Sequence, residues 1–300
     1  MFFSDFLLSP CTIQVLLAGS ISDGTIWMYH TPTSQCLQVF VGHENGVTTG
    51  AFTPDGKFVV TAGQDGTVRI WAPKKGLCKH VFRLMDHLKG MEEEGPGPGL
   101  TCLAVGGGQD GQLAIAGGED GNAYVVHVQG KKVVSTLTHF EDSAPGATTK
   151  SEGDDGMGDE EEESEARSVE AVGFCPANIP GTAHWCATGG VDGVLKIWNL
   201  NVGGGGGTAQ LRQRCTREDV KAGITRLKWH NSLPLVLASY TDGCVCVWDV
   251  RVGKVVECLT GHDDMINDMD VCFVDGSNAS VVVTGSDDKC VKVFEFNPSQ

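Results

Sequence analysis

The stretch "TAGQDGTVRIW", Thr61 to Trp71, decides the fold. Small residues end one apolar run, an Asp-Gly pair follows, and a second apolar run carries an aromatic residue six places after the Asp. Asp-Gly between two β-prone runs is typical of a tight turn that joins antiparallel strands. The stretch therefore predicts a β-hairpin with Asp65 in its turn and Trp71 in its second strand.

The same hairpin pattern occurs six times along the chain. Five of the six copies keep an aromatic residue at the sixth place, and the third copy has Val126 there. Successive turn aspartates are 42, 55, 72, 50 and 46 residues apart, whereas repeats that form four-stranded propeller blades have a period of about 40 to 45 residues. The six turn aspartates are Asp23, Asp65, Asp120, Asp192, Asp242 and Asp288.

This spacing predicts an all-β chain: a WD-repeat β-propeller with six recognisable blades, each with strands a to d in chain order. The predicted blades span about residues 1–41, 42–84, 99–140, 168–215, 223–260 and 261–297. The excess lengths indicate insertions, the longest being residues 141–167, which are acidic and predicted to be disordered.

Composition sets the class of protein. The chain has 300 residues, 41% of them hydrophobic, and its 12 cysteines are scattered without a CxxC pair. Such cysteines are expected to be free thiols in a reducing compartment, the cytoplasm and also the nucleus. The N-terminal stretch has no Lys or Arg before its apolar part, and no run is long enough for a membrane helix.

Two Gly-His pairs predict a structural hydrogen-bond network. In each, a histidine before strand a can reach the turn Asp and a Thr on strand b; the first blade adds an indole on strand c, whereas the second has Phe294 there, which cannot donate. The predicted network residues are His43, Thr61, Asp65 and Trp71 in one blade and His262, Thr284 and Asp288 in another. Because the same trio recurs at the same phase, scaffolding is favoured over a hydrolase triad.

Other chemistry is not indicated by the sequence. "GGGQDG", Gly106 to Gly111, matches a dinucleotide-binding pattern, but it lies between strands without a following helix. No metal cluster, activated nucleophile or phosphate loop is recognisable. We therefore predict a protein that is not an enzyme and uses no cofactor.

The charge pattern predicts a binding face. The net charge is −16, and twelve acidic and two basic residues lie between Glu141 and Glu170. In an antiparallel blade the d-to-a loops and the b-to-c turns share one face, here called the loop face. The candidate partner-binding residues assigned to it are Glu92, Glu93, Glu94, Glu119, Asp159, Glu160, Glu161, Glu162, Glu163, Asp263, Asp264, Asp268 and Asp287.

The opposite face is predicted to be basic, because its c-to-d turns contain Lys74, Lys75, Lys131, Lys132 and Arg251. An acidic face favours a basic protein partner and disfavours direct binding of nucleic acid. The alternative is that the acidic loops only keep the protein soluble.

Several stretches resemble the angio-associated migratory cell protein family and its fungal relatives. They are "VLLAGSISDGTIWMY", "PDGKFVVTAGQDGTVRIW", "LTCLAV" and "ESEARSVEAVGFC", in which an acidic insert leads directly into a strand. The resemblance implies a non-enzymatic propeller. Fungal relatives act as chaperones of a basic large-subunit ribosomal protein, and animal members are associated with cell migration.

Propeller closure leads to one further expectation. The sequence stops in the third strand of the sixth blade, and only 14 residues precede "VLLAGS". Because relatives have seven or eight blades, we expect the sequence to lack one or two N-terminal blades.

The sequence leaves three functions to compare. The first is a chaperone or assembly factor for a basic ribosomal protein, monomeric apart from its partner. The second is a general interaction scaffold in signalling or cell migration, including a cullin-ligase substrate receptor that uses the WDxR pattern of Trp248 to Arg251. The third, an enzyme, has no motif in its support.

Overall fold

A computed structural model describes residues 2–6, 15–87, 97–107, 112–140, 167–200, 209–218, 220–273 and 279–298. These residues form six antiparallel sheets that follow one another along the chain. Five sheets have four strands in chain order, and the sixth has three described strands. The all-β prediction is therefore confirmed.

The strands, numbered in chain order, are grouped by sheet. Sheets 1 to 3 contain β1 Phe2–Phe6, β2 Val15–Gly19, β3 Ile26–His30 and β4 Gln35–Phe40; β5 Val47–Phe52, β6 Val59–Gly63, β7 Thr67–Ala72 and β8 Leu77–Arg83; and β9 Leu100–Gly107, β10 Leu113–Gly118, β11 Asn122–His127 and β12 Lys132–Thr138. Sheets 4 to 6 contain β13 Val169–Phe174, β14 Trp185–Gly190, β15 Leu195–Asn199 and β16 Gln210–Cys215; β17 Ile224–Trp229, β18 Leu235–Tyr240, β19 Val245–Asp249 and β20 Lys254–Leu259; and β21 Ile266–Phe273, β22 Ser280–Ser286 and β23 Val291–Phe296. A short 3-10 helix, Leu84–His87, follows β8.

The opening stretch forms the predicted hairpin. β6 and β7 pair with Val59 opposite Trp71 and Ala62 opposite Val68. Gly66 has a φ of 67° in the turn between them, a conformation that glycine adopts without steric cost. Glycine is therefore well suited to position 66, although Lys289 adopts a φ of 66° at the equivalent position of sheet 6.

Apolar side chains fill the spaces between successive sheets. Five clusters of buried residues lie between sheets 1 and 2, 2 and 3, 3 and 4, 4 and 5, and 5 and 6. The first strands of neighbouring sheets also lie beside one another, from β1 and β5 to β17 and β21. Packing sheet against sheet removes both faces of the inner strands from water.

In sheets 2, 3 and 5 burial is greatest in the second strand and least in the fourth. Every residue of β6, β10 and β18 is buried, whereas the outermost strands β8 and β20 are mostly exposed. This explains why the second strands read as continuous apolar runs instead of alternating with polar residues.

Five of the first strands, β5, β9, β13, β17 and β21, begin with an irregular register, and this corrects one prediction. In β21 the irregularity lies between Ile266 and Asp268, so the strand already includes Asp268. The assignment of Asp268 to a d-to-a loop is wrong. Its exposed carboxylate accepts a hydrogen bond of 3.1 Å from Nε of Arg226 on the neighbouring β17.

Candidate functional site

The b-to-c turns contact the following d-to-a loops. A Cβ added to Gly24 would lie 2.6 Å from the carbonyl oxygen of His43, and one added to Gly243 would lie 2.6 Å from the carbonyl oxygen of His262. Both glycines have positive φ angles. The two kinds of connection therefore form one continuous surface, the loop face.

The second sheet contains a four-residue hydrogen-bond chain behind this face. Nε1 of Trp71 donates to the hydroxyl of Thr61 over 2.9 Å, and Nε2 of His43 lies 2.8 Å from the same oxygen. Nδ1 of His43 lies 2.9 Å from Asp65 Oδ2. These contacts favour the tautomer in which the Thr61 hydroxyl donates to Nε2 and the Nδ1 proton points at Asp65.

The environment of Asp65 favours its charged form. Burial alone would raise the pKa of this carboxyl, but the hydrogen bonds from His43, Thr67 and the Glu44 amide outweigh burial. The net pKa lies well below the usual range. Asp65 is therefore a structural anion that joins the turn to the preceding loop.

The sixth sheet repeats the arrangement without the indole. Nδ1 of His262 lies 2.7 Å from Asp288, and Nε2 lies 2.7 Å from the Thr284 hydroxyl. Burial opposes ionisation of Asp288, yet hydrogen bonds from His262 and from backbone amides lower its pKa overall. The structure thus brings together both sets of residues assigned to networks.

A third network was missed by the sequence reasoning. Nδ1 of His139 lies 2.8 Å from the Thr188 hydroxyl, Nε2 lies 3.3 Å from Asp192, and Trp198 Nε1 donates to Thr188 over 2.9 Å. A signal was present: a histidine follows a fourth strand, and Thr188 precedes its turn Asp by four residues, as Thr61 does. The pattern is hidden in the sequence because the acidic insertion separates His139 from Asp192 by 53 residues.

Two other sheets use different partners for the turn aspartate. In sheet 3 the Tyr124 hydroxyl donates to Asp120. In sheet 5 Arg217 pairs with Asp242 at 2.7 Å and lies 4.8 Å from the centre of the Tyr240 ring. Arg217 thus takes the structural role that a histidine has in sheets 2, 4 and 6.

The buried position of the threonines explains why these trios are scaffolds. Thr61 and Thr188 are fully buried, and Thr284 is 1% exposed. A hydroxyl that is enclosed by an indole and an imidazole cannot meet a substrate carbonyl, although nucleophilic catalysis requires that contact. The networks therefore stabilise the turns and loops that form the loop face.

Exposed carboxylates predominate on the described part of the loop face. Beyond the turn aspartates there are seven exposed acids and three exposed bases in its loops and turns. The acids are Glu44, Asp86, Glu119, Glu218, Asp263, Asp264 and Asp287, and the bases are Arg167, Lys221 and Lys289.

The opposite face has the reverse balance. Its described turns expose Lys57, Lys74, Lys75, Lys131 and Arg251. The nearby acids are locally paired, since Lys57 lies 3.0 Å from Asp55 and Arg251 lies 2.6 Å from Asp249. The described molecule is therefore electrically polar along the axis that joins the two faces.

The predicted partner-binding residues divide into three groups. Glu119, Asp263, Asp264 and Asp287 are exposed on the loop face. Asp268 lies in strand β21. Glu92, Glu93, Glu94, Asp159, Glu160, Glu161, Glu162 and Glu163 lie outside the described residues.

Among the described residues, no helix is long and apolar enough to span a bilayer. Within the same ranges, no group of three or more His, Cys, Asp or Glu side chains is arranged to hold a metal ion.

Comparison with known proteins agrees with this architecture. The family model described as "WD domain, G-beta repeat" matches residues 34–72, 213–249 and 253–295. These segments cover the b-to-c hairpins of sheets 2, 5 and 6, including the turn aspartates Asp65, Asp242 and Asp288. The chain is therefore a WD-repeat β-propeller protein.

Its relatives include the angio-associated migratory cell proteins of Canis lupus familiaris and Homo sapiens. Each is 37% identical over 281 residues, which are 93% of this chain and 55% of the relative. An uncharacterized WD repeat-containing protein of Schizosaccharomyces pombe is 27% identical over 88% of this chain and 55% of its own length. The resemblance to the angio-associated migratory cell protein family is confirmed, and the chain spans about half the length of these relatives.

These findings define a WD-repeat protein-interaction scaffold. The matching family model describes a structural repeat and not a catalytic domain.

Proposed function

We propose that the loop face binds a basic protein, and that the chain is a chaperone or assembly factor for a basic ribosomal protein of the large subunit. The cytoplasm, together with the nucleus, is the proposed place of action. The observation that supports the proposal is the excess of exposed carboxylates on the described part of the loop face, with exposed bases on the opposite face.

The hydrogen-bond networks support this function by holding the loops in place. Asp263 lies next to His262, whose ring is fixed by Asp288 and Thr284. Glu44 occupies the same position next to His43. Carboxylates on a pre-formed surface lose little conformational entropy when a partner binds, and their combined field increases the association rate.

A charge-neutral variant of the loop face tests the proposal. Glu119→Gln, Asp263→Asn, Asp264→Asn and Asp287→Asn together preserve side-chain shape and remove four negative charges. The matched control neutralises the opposite face with Lys57→Gln, Lys74→Gln, Lys75→Gln and Lys131→Gln. Each protein is immobilised and mixed with purified large-subunit ribosomal proteins at low and high salt.

The wild type and the control are expected to retain one or a few basic proteins at low salt and to release them as salt rises, because exposed charges are screened over about 8 Å at physiological ionic strength. The loop-face variant is expected to lose most of this binding. If both variants retained the basic proteins equally, we would conclude that the acidic residues only keep the protein soluble.

The alternative of a cullin-ligase receptor makes a different prediction. Arg251 is exposed, and its guanidinium donates to both carboxylate oxygens of Asp249, at 3.0 and 2.6 Å. Arg251 lies on the opposite face, so an adaptor that bound there would not contact the loop face. Recovery of cullin-ligase subunits from lysate that is abolished by Arg251→Ala and unchanged in the loop-face variant would favour this alternative.

A further inference from the structure

Two cysteine side chains meet on the outer part of sheet 5. Cys246 on β19 and Cys258 on β20 are directly opposite each other in the antiparallel register. Their Sγ atoms are 3.1 Å apart. Cys246 is buried, whereas Cys258 is exposed.

We propose that Cys246 and Cys258 form an oxidation-sensitive dithiol that hydrogen peroxide converts to a disulfide between strands β19 and β20. Opposite residues of antiparallel strands have Cα atoms about 4.5 to 5.5 Å apart, and disulfides span about 4.4 to 6.8 Å between Cα atoms. The bond can therefore form without separating the strands. The site belongs to the outer edge of the sheet and is independent of the proposed function of the loop face.

The two thiols differ in exposure, which indicates which sulfur reacts with peroxide first and which then completes the disulfide. Burial and the neighbouring Cys258 raise the pKa of Cys246, which keeps Cys246 in its thiol form. The exposed Cys258 is the sulfur that meets the oxidant.

The reaction balances in two steps. The Cys258 thiolate attacks one peroxide oxygen, the O–O bond breaks, and Cys258 becomes a sulfenic acid while the other oxygen leaves as hydroxide and is protonated to water. The Cys246 sulfur then attacks the Cys258 sulfur, the S–O bond breaks, and the second oxygen leaves as water with the Cys246 proton. Two thiols are oxidised and one peroxide is reduced to two waters.

Other cysteines provide matched controls. Cys78 on β8 is also an exposed cysteine of a fourth strand, but Trp71 stands opposite it. Cys244 lies just before β19, two residues from Cys246, and Cys272 is exposed on β21. Only a specific pairing of Cys246 with Cys258 distinguishes the proposal from general thiol oxidation.

Peptide mapping of the full 300-residue chain tests the pairing. Trypsin cleavage at Arg251 and Lys254 separates residues 229–251, which contain Cys246, from residues 255–289, which contain Cys258. After peroxide treatment and blocking of the remaining thiols, the wild type is expected to give these two peptides as one cross-linked species. Its mass should be about 2 Da below the sum of the two peptides with Cys244 and Cys272 blocked. A dithiol reductant should separate them again.

The same cross-link is expected in Cys244→Ala, Cys272→Ser and Cys78→Ser and is expected to disappear in Cys258→Ser. Because the first three variants and the wild type retain both sulfurs, the result does not depend on whether Cys258→Ser folds. Loss of the cross-link in Cys244→Ala or in Cys272→Ser would assign the disulfide to another pair. Oxidation of wild-type Cys258 to sulfinic or sulfonic acid without a cross-link would also overturn the proposal.

Discussion

Thr188→Val isolates the energetic contribution of the third histidine network. The substitution keeps the branched shape of the side chain and removes a hydroxyl that serves two partners, His139 Nδ1 at 2.8 Å and Trp198 Nε1 at 2.9 Å. Thr188 is fully buried, and His139 and Trp198 are 1% and 7% exposed. Water therefore cannot replace the lost hydroxyl.

The expected destabilisation follows from the two nitrogens that lose their partner. A buried polar group left without a hydrogen bond costs about 1–3 kcal/mol, so two such groups predict a loss of about 2–6 kcal/mol in the free energy of unfolding. This is a large part of the roughly 5–15 kcal/mol that stabilises a typical protein. Valine fills a similar volume, so the cavity term is small.

Urea unfolding followed by far-ultraviolet circular dichroism measures the loss. Thr188→Ser keeps the hydroxyl and is expected to retain most of the stability, whereas Thr136→Val, an exposed substitution on β12, should change it by about 0.5 kcal/mol or less. A loss below about 1 kcal/mol in Thr188→Val, or equal losses in Thr188→Val and Thr188→Ser, would refute the assignment of stability to the shared hydroxyl.

Two further predictions follow from the turns. The pKa of Asp65 is lower in the folded chain than its ordinary value. The contribution of its carboxylate to the free energy of unfolding is therefore complete above about pH 4 and is lost as pH falls through the folded pKa. Asp65→Asn should flatten the decrease in stability below about pH 4 in an acid titration monitored by circular dichroism. Gly243 and Gly181 both have φ near 80°, but a Cβ on Gly243 would lie 2.6 Å from the His262 carbonyl oxygen, whereas one on Gly181 would meet no atom within 4 Å. Gly243→Ala should therefore lower the urea midpoint more than Gly181→Ala, and equal midpoints would show that backbone conformation alone sets the cost.

The hairpin repeat could be predicted because its signal is local. Asp-Gly turns, apolar strands and the aromatic residue of the third strand lie within about a dozen residues of one another, so one stretch such as Thr61 to Trp71 contains the whole pattern. The faces of the molecule also follow from strand direction, and the described charges on both faces agree with that reasoning.

The missed features depend on contacts across insertions or on strand register. His139 contacts Asp192 across 53 residues, so a search for a histidine a fixed distance before the turn could not find it. Arg217 replaces the histidine with a different chemical group. The placement of Asp268 depended on an irregular register at the start of β21, which hydrophobic periodicity does not reveal.

The carboxylates behind and on the loop face have separate roles in this structure. Asp65, Asp192 and Asp288 are engaged with histidines of the same sheets, and their lowered pKa values reflect those contacts. Exposed residues such as Glu119 and Asp263 supply the surface charge instead. Because the two sets do not overlap, removal of a network carboxylate should reduce stability, whereas neutralisation of exposed carboxylates should reduce binding of a basic partner without unfolding the sheets. The histidine networks therefore join the loops that contain exposed carboxylates to the neighbouring turns, through contacts that do not use the exposed charges.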